Sequence, residues 1–311
     1  MTSRLSAVLL CAVFAAPAPA AAAQPPLVAA PERLLAQDFP DPSVVRVAEG
    51  YLAFATTGPA GSVPMAAAGD ATGPWRVVGD PLSSPPSWAV PGTQYWAPDV
   101  SPRADGSWLM YFSATDAGRA VMCVGAAVAA DVRGPYRPVG DRPLVCPPQD
   151  GSDIDPQGFT DADGTRYLLY KSLHGNGPPS TLWLQQVDPT GLTAVGGRKP
   201  LLRVDSPAEK GVIEAPCLVK TGGGYTLLYS AGTFTDETYH TAYATASALT
   251  GPYRKAGDLL TTAGLGGTVD GPGGAAVADG RIYFHGWLGG RKARALYSLP
   301  IRFDGTEPVL G

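Results

Sequence analysis

Five acidic residues, each beside or near a proline, recur along this 311-residue chain at intervals of 56 to 59 residues. They are Asp41, Asp99, Asp155, Glu214 and Asp270. A constant interval of this length indicates a repeat architecture, in which each unit places an equivalent position in an equivalent place. If the units surround an axis, the five carboxyl groups meet at one end of it. Crowded carboxylates repel one another, and such clusters are typical of catalytic sites.

A second motif, Gly-Pro-aromatic-Arg, occurs at 73–76, 134–137 and 251–254. Short apolar segments lie between these markers, and several of them follow an Asp-Gly or Gly-Gly step, which is a hairpin signal. Glycine (39) and proline (32) are abundant and only 16% of residues are charged, which favours short strands and tight turns. The sequence therefore predicts an all-β fold, a five-bladed β-propeller with its active site at the mouth of the central channel. A two-sheet sandwich fits the composition but not the spacing of the acids.

The beginning of the chain is typical of an export signal. Arg4 precedes an apolar stretch at 9–16 and small residues at 20–23. We predict a signal peptide at 1–24, a single propeller domain at 25–311, and a secreted, extracellular protein. The apolar stretch is too short to remain in a bilayer, and no membrane partner is expected.

The formal net charge is −4 and the chain has no basic run, so nucleic acid is not an expected partner. We expect a monomer. Three cysteines follow the predicted signal: Cys123, Cys146 and Cys217. An oxidising compartment would permit one disulfide, and Cys123 with Cys146 closes the shorter loop, but burial as small apolar residues is an equal alternative.

Three of the acids, Asp41, Asp155 and Glu214, belong to the first, third and fourth predicted blades and would face one another across the channel mouth. Glycoside hydrolysis requires two carboxyl groups on opposite sides of a sugar, one protonated and one ionised. A third carboxylate near the acid would raise its pKa. The alternative is that these residues are ordinary turn residues, because Asp-Pro and Pro-Asp are common in turns.

Other side chains are candidates for contact with a sugar. Trp96 and Phe39 could each stack on a sugar ring, although an aromatic residue at the start of a blade is as often packed between blades. Arg294 could bond sugar hydroxyls or a carboxylate. His285 lies in an apolar segment, for which a hydrogen-bonded core histidine is the default expectation.

At these residues the chain resembles glycoside hydrolase family 43, and the resemblance covers nearly all of the predicted mature protein. The matching motifs occur in the family's order and spacing. They are Asp38-Phe39-Pro40-Asp41-Pro42, Trp96-Ala97-Pro98-Asp99, Ser152-Asp153-Ile154-Asp155-Pro156 and Val212-Ile213-Glu214-Ala215-Pro216.

The resemblance implies a five-bladed propeller and an inverting mechanism. Asp41 would be the general base, Glu214 the general acid, and Asp155 the residue that tunes the pKa of the acid. Phe39, Trp96, Asp99 and Arg294 would contact the carbohydrate substrate. Many family members carry a histidine after Gly-Pro-Gly in the fifth blade, which helps to hold a channel cation through waters. This chain has Gly274 there, so we expect neither a structural calcium nor any other cofactor.

The function predicted from these observations is a secreted glycosidase that acts on α-L-arabinofuranosyl or β-D-xylosyl linkages of plant polysaccharides or oligosaccharides. Two alternatives remain open: a propeller that binds carbohydrate without cutting it, and a glycosidase for another furanoside such as a galactofuranoside.

Overall fold

The computed structural model describes residues 30–173 and 180–311, and the predicted signal peptide lies outside these ranges. The described residues form twenty-one β-strands and one short 3-10 helix, Pro207–Glu209. In chain order the strands are β1 (Glu32–Leu35), β2 (Ser43–Val47), β3 (Gly50–Phe54), β4 (Met65–Ala68), β5 (Arg76–Gly79), β6 (Trp96–Pro102), β7 (Trp108–Thr115), β8 (Met122–Ala129), β9 (Arg137–Val139), β10 (Ser152–Thr160), β11 (Arg166–Leu173), β12 (Thr181–Gln186), β13 (Lys199–Arg203), β14 (Ile213–Thr221), β15 (Gly224–Ala231), β16 (His240–Ala246), β17 (Arg254–Leu260), β18 (Asp270–Ala278), β19 (Arg281–Leu288), β20 (Ala293–Asp304) and β21 (Glu307–Leu310).

These strands form five antiparallel sheets, which are the blades of a ring. Blades 1 to 4 are the sequential sets β2–β5, β6–β9, β10–β13 and β14–β17. Blade 5 contains β18, β19 and β20 together with β1, so the first strand of the chain completes the last blade. The innermost strands contact their neighbours around the ring, and β18 contacts β2. The predicted five-bladed β-propeller is confirmed.

The apolar core lies between the blades. Five buried clusters of the described residues correspond to the five junctions. Because successive side chains of a strand point to opposite faces, the second strand of a blade serves two junctions at once. On β11, for example, Leu168 packs against blade 2 and Leu169 packs against blade 4. The second strands are therefore buried over most of their length and rich in apolar residues, as is typical of strands covered on both faces, whereas outer strands such as β5 and β9 are largely exposed.

The Gly-Pro-aromatic-Arg motif closes the turn before the outermost strand in three blades. The aromatic side chain reaches back to the carbonyl oxygen four residues earlier: Trp75 Nε1 donates to Ala71 (3.1 Å), and Tyr136 Oη to Val132 (3.1 Å). Tyr253 Oη donates to Leu249 in the same way (3.0 Å). The motif is therefore structural.

Near the start of each inner strand lies a residue in the left-handed backbone region that is followed by a proline. These residues are Asp41, Ala97, Asp155, Ala215 and Gly271, with φ between 44° and 60°. In blades 2 to 5 the strand register shifts at this pair, which is a β-bulge. Proline lacks an N–H and is confined in sheets to edges, first positions and bulges, which explains its recurrence. We call these five residues the bulge residues.

Side chains of one blade bind the bulge of the next. The Thr56 hydroxyl of blade 1 accepts a hydrogen bond from the N–H of Ala97 (2.8 Å), and Ser113 of blade 2 accepts from Asp155 (3.2 Å). The carboxylate of Asp155 in turn accepts from the N–H of Ala215 in blade 4 (2.9 Å). These bonds satisfy buried backbone donors and hold the inner strands in register around the channel.

A disulfide joins Cys123 to Cys146, the pair that closes the shorter loop. Cys217 is free and buried. Among the described residues no helix has the length and hydropathy of a segment that crosses a membrane.

Closure of the ring depends on β1, because this strand supplies the outer edge of blade 5. Leu35 is 7% exposed and packs between blades 5 and 1. We expect Leu35→Ala to reduce the free energy of unfolding by about 2–4 kcal/mol, since it removes buried methyl groups and leaves a cavity. Chemical denaturation checks this value. Val78→Ala, at a side chain that is 54% exposed, should change it by less than about 0.5 kcal/mol.

Candidate active site

The five acids do not share one position in the repeat, contrary to the sequence prediction. Asp41 and Asp155 are bulge residues, Glu214 and Asp270 directly precede one, and Asp99 follows one by two positions. Because side chains alternate along a strand, these positions point in different directions. The recurrent feature is the proline bulge, and the acids stand near it in three different phases.

A cavity of about 630 Å³ opens at one end of the channel and is lined by three of the acids, Asp41, Asp155 and Glu214. These three residues come from blades 1, 3 and 4, as predicted. Trp96 and Arg294, two of the predicted substrate-binding residues, also line it. Further lining residues are Asp38, Thr56, Thr57, Gln94, Ile154, Lys171, Leu173, Val212, Gly232, Thr233, Phe234 and Tyr239.

Asp41 is held as a carboxylate. Burial alone would raise its pKa, but the positive charge of Arg294 and hydrogen bonds with His285 and Thr56 outweigh burial and hold the pKa below its ordinary value. The Thr56 hydroxyl donates to Oδ2 (2.7 Å), and Arg294 Nη1 lies 3.5 Å from Oδ1. The backbone of Arg294 is held in place, because its backbone N–H donates a hydrogen bond to Asp38 Oδ1 (2.8 Å).

Glu214 is fixed by two donors, one from the loop before β16 and one from β11. The Tyr239 hydroxyl donates to Oε1 (2.7 Å), and the ammonium group of Lys171 forms an ion pair with Oε2. Lys171 is a lysine that is only 3% exposed at its side chain. A buried ammonium group requires a paired anion, and the neighbouring carboxylates of the cavity supply it.

Asp155 differs from Asp41 in its electrostatic surroundings. Burial and the nearby charge of Glu214 raise its pKa to about 7, against the opposing influence of Lys171. Its Oδ2 accepts a hydrogen bond from the N–H of Ala215 (2.9 Å), so Asp155 also binds the bulge that follows Glu214. The cavity therefore contains one carboxyl group that is held ionised and another whose proton is held more tightly.

Asp99, predicted to bind substrate, lies deeper in the channel and does not line this cavity. Its Oδ2 accepts a hydrogen bond from the N–H of Gly158 in the next blade (2.8 Å). Ser43 and Gln157 occupy the same position in their blades and make the same bond, to Val100 (3.0 Å) and Leu218 (2.7 Å). Asp99 is thus one of three side chains that link an inner strand to the inner strand of the next blade.

The structure contradicts the prediction that Phe39 stacks on a sugar. The ring is fully buried in the cluster between blades 5 and 1, so its face is not accessible. The alternative, packing between blades, is confirmed. Trp96 keeps 36% of its surface exposed, and a hydrogen bond from its Nε1 to Gln94 (3.1 Å) fixes the indole at the cavity wall. Asp270 pairs with Arg291 (2.8 Å) and does not line the cavity.

Sequence reasoning missed Lys171 and Tyr239 and underestimated His285. Lys171 could have been found as a charged residue within an otherwise apolar strand, since a buried lysine requires a partner. His285 is fully buried and bonds to Asp41 rather than to an ordinary core group. It follows the bulge of its blade at about the same distance as Thr56 and Ser113 follow theirs, which was an available signal. Tyr239 lies in a loop, outside the period.

The described residues of the channel contain no set of side chains arranged to bind a metal ion directly. Position 274 is glycine, and within residues 30–173 and 180–311 no group of three or more His, Cys, Asp or Glu side chains is arranged to hold one. The mechanism proposed below uses no metal. Independence of a cofactor stays a prediction.

The fold and the cavity define a β-propeller with convergent carboxylates, and comparison with known proteins agrees. A sequence profile described as "Glycosyl hydrolases family 43" matches residues 32–290. The extracellular endo-alpha-(1->5)-L-arabinanase 1 of Bacillus subtilis is 28% identical over 225 residues, 67% of this chain and 67% of that protein. A beta-D-galactofuranosidase of Aspergillus niger is 28% identical over 201 residues, 61% of this chain and 54% of its own length.

Among solved structures, a thermostable family-43 glycoside hydrolase superposes with a TM-score of 0.77 at 21% identity, covering 92% of this chain and 94% of the other. The chain belongs to glycosyl hydrolase family 43. Its enzyme class is therefore that of a glycosidase.

Asp99 gives a test of the buried electrostatics that is separate from the cavity. Burial raises its pKa to about 7 from an ordinary value of 3.8. A carboxyl group with a raised pKa in the folded state stabilises the fold below its unfolded pKa and loses that contribution as the pH rises through the folded value. The loss therefore falls between about pH 4 and pH 7.

We expect Asp99→Asn to be more stable than the wild type at pH 8, by a few kcal/mol at most since one pKa unit is about 1.4 kcal/mol, and equal to it near pH 4. Thermal unfolding across this range measures the difference. Asp304→Asn, at an exposed carboxyl, is the matched control. A gain from Asp99→Asn that is the same at every pH would contradict the assignment.

Proposed function

We propose that this chain is an inverting glycoside hydrolase that cuts α-L-arabinofuranosyl or β-D-xylosyl linkages. Asp41 acts as the general base, Glu214 as the general acid, and Asp155 tunes the acid and orients the sugar. The observation that carries the proposal is the convergence of these three carboxyl groups, from three separate blades, on one cavity.

The electrostatics support a division of roles. A general base must be ionised when substrate arrives, and the pKa of Asp41 is held low by Arg294 despite burial. A water between this carboxylate and the anomeric carbon would lose its proton to Asp41 as it attacks, and Glu214 would protonate the departing oxygen. The pKa values of the neighbouring carboxyls Asp41 and Asp155 are pushed apart, since burial and the charge of Glu214 raise the pKa of Asp155 to about 7, and such a split is typical of acid–base sites.

The shape of the cavity supports a sugar substrate. A volume of about 630 Å³ accommodates a monosaccharide unit with its neighbours. The indole of Trp96 offers an apolar face at one wall, and Phe234 is 50% exposed and lines the same cavity. Exposed aromatic faces suit the apolar faces of sugar rings.

The choice of sugar rests on the relatives. Proteins named as endo-arabinanases are among the curated matches, and a xylosidase/arabinosidase of Humicola insolens is 34% identical over 82 residues. The similarity to a galactofuranosidase supports galactofuranosides as the second candidate substrate. We further propose that the enzyme is secreted, on the strength of the predicted signal at 1–24 and of relatives named as extracellular. We propose that it acts as a monomer on carbohydrate, without nucleic-acid or membrane partners.

Removal of either proposed catalytic group should abolish turnover. We expect Asp41→Asn and Glu214→Gln each to lower kcat by at least about 10³-fold, because each removes a proton transfer that the transition state needs. Assay of a panel of nitrophenyl α-L-arabinofuranoside, β-D-xyloside and β-D-galactofuranoside, together with linear arabinan, measures this effect and identifies the sugar.

Asp99→Asn is the matched control for these variants, because it neutralises a buried channel carboxyl outside the cavity and should retain activity. More than a few per cent of wild-type activity in Asp41→Asn or Glu214→Gln would reject that residue's role. A wild-type protein that binds arabinan but cuts no member of the panel would favour the non-catalytic alternative.

Stereochemistry tests the inverting mechanism. Direct attack of a water activated by Asp41 places the new hydroxyl on the face opposite to the leaving group, so an α-L-arabinofuranoside should first release β-L-arabinofuranose. Proton NMR during the first minutes of the reaction, before mutarotation, reports the anomer. Initial release of the α-anomer would show that a carboxylate attacks the sugar directly.

A further inference from the structure

Two aromatic rings, one in the cavity wall and one behind it, contact its two proposed catalytic carboxyl groups. The imidazole of His285, on β19, is fully buried. Its Nδ1 lies 3.1 Å from the backbone nitrogen of Asp41 and 3.2 Å from Oδ1 of the same residue. A bare Nδ1 accepts from the backbone N–H and a protonated Nδ1 donates to the carboxylate, so either tautomer ties Asp41 to blade 5.

The second ring is that of Tyr239, which is 2% exposed and donates its hydroxyl to Glu214 Oε1 (2.7 Å). The rings of Tyr239 and His285 are nearly parallel, at an interplanar angle of 7° and a centroid distance of 5.9 Å. A continuous chain of contacts therefore runs from Asp41 through the two rings to Glu214.

The space for both rings is left by two consecutive glycines of β18. A Cβ on Gly273 would lie 2.1 Å from Cε1 of Tyr239, and a Cβ on Gly274 would lie 2.6 Å from Nδ1 of His285. Both distances are far below van der Waals contact. Any side chain at 273 or 274 would displace the ring that holds a catalytic group.

Resting on the function proposed above, we infer that Tyr239 and His285 are positioning residues, seated in the space left by Gly273 and Gly274, that hold Glu214 and Asp41 at a fixed separation. Blade 5 lies between blades 4 and 1 in the ring and contacts both. Blade 5 contributes none of the three proposed catalytic carboxyl groups. Besides Arg294, it supplies His285 and the two glycines that leave space for both rings.

Kinetics of His285→Leu, His285→Asn and His240→Leu test the inference. Leucine cannot form a hydrogen bond with Asp41. The asparagine amide can accept a hydrogen bond from the backbone N–H of Asp41 or donate one to the Asp41 carboxylate. We expect His285→Leu to lower kcat by about 10²-fold, as for a misplaced reacting group, with KM within about threefold because sugar contacts remain. His285→Asn should recover most of the loss. His240→Leu, at a histidine that bonds to Thr238 outside the cavity, should retain kcat.

Tyr239→Phe is the second variant, because it keeps the ring and removes only the bond to Glu214. We expect kcat to fall by about tenfold with little change in KM. Circular dichroism and the melting temperature confirm that each variant is folded. Folded His285→Leu and Tyr239→Phe proteins that both keep kcat within about twofold of wild type would overturn the inference, as would equal losses in His285→Leu and His285→Asn.

If the wild-type protein cuts no member of the substrate panel, the proposed function fails separately, and crystal structures then decide the inference. The Asp41 carboxylate should be displaced in His285→Leu and retained in His285→Asn. An unmoved carboxylate in His285→Leu would show that His285 does not position it.

Discussion

The structure depends on the hydrogen bonds that tie each proline bulge to the preceding blade. A residue in the left-handed region followed by proline interrupts the inner strand and exposes a backbone N–H that has no ladder partner. A side chain from the neighbouring blade satisfies that N–H, as Thr56 does for Ala97 and Ser113 does for Asp155. Each of these bonds satisfies a backbone donor and links two neighbouring blades. The bulge residues also surround the channel mouth, so the device that assembles the ring also places the cavity.

The cavity combines like charges that could not coexist in isolation. It is lined by the carboxyl groups of Asp38, Asp41, Asp155 and Glu214, and two cations that line it within the described part of the chain, Lys171 and Arg294, offset their repulsion. Lys171 pairs with Glu214 and Arg294 lies beside Asp41. Burial and the charge of Glu214 raise the pKa of Asp155, and Lys171 offsets this only in part. The asymmetry follows from where two basic residues stand on β11 and β20.

Much of this architecture could be predicted from the sequence, because proline recurs wherever the backbone requires a bulge. The period indicated five blades, and Asp41, Asp155 and Glu214 were placed correctly around the channel. The sequence could not show that the acids stand in different phases of the repeat, since a proline nearby does not distinguish one strand position from the next. Asp99 was therefore assigned to the cavity although its side chain links two blades. The role of Phe39 was predicted wrongly because the local sequence does not show whether an aromatic residue at the start of a blade packs between blades or binds a ligand.

The residues that escaped prediction lie on second strands and loops, where the proline period carries no information. The bond from Tyr239 to Glu214 lies within blade 4, whereas the bond between His285 and Asp41 joins blade 5 to blade 1 and exists only after the ring has closed. In the sequence these contacts correspond to Gly273 and Gly274, which leave space for the two rings. That role could be recognised only after the structure had placed the rings of Tyr239 and His285 beside the two glycines.

The bonds that join the blades are separate from the aromatic walls of the cavity. These bonds are made at the proline bulges and by the side chains of Ser43, Asp99 and Gln157. The side chains of Trp96 and Phe234, which line the cavity, take no part in them. Proteins named as an arabinanase and a galactofuranosidase are each 28% identical to this chain. We therefore expect the choice of sugar to depend on the cavity walls rather than on the bonds that join the blades.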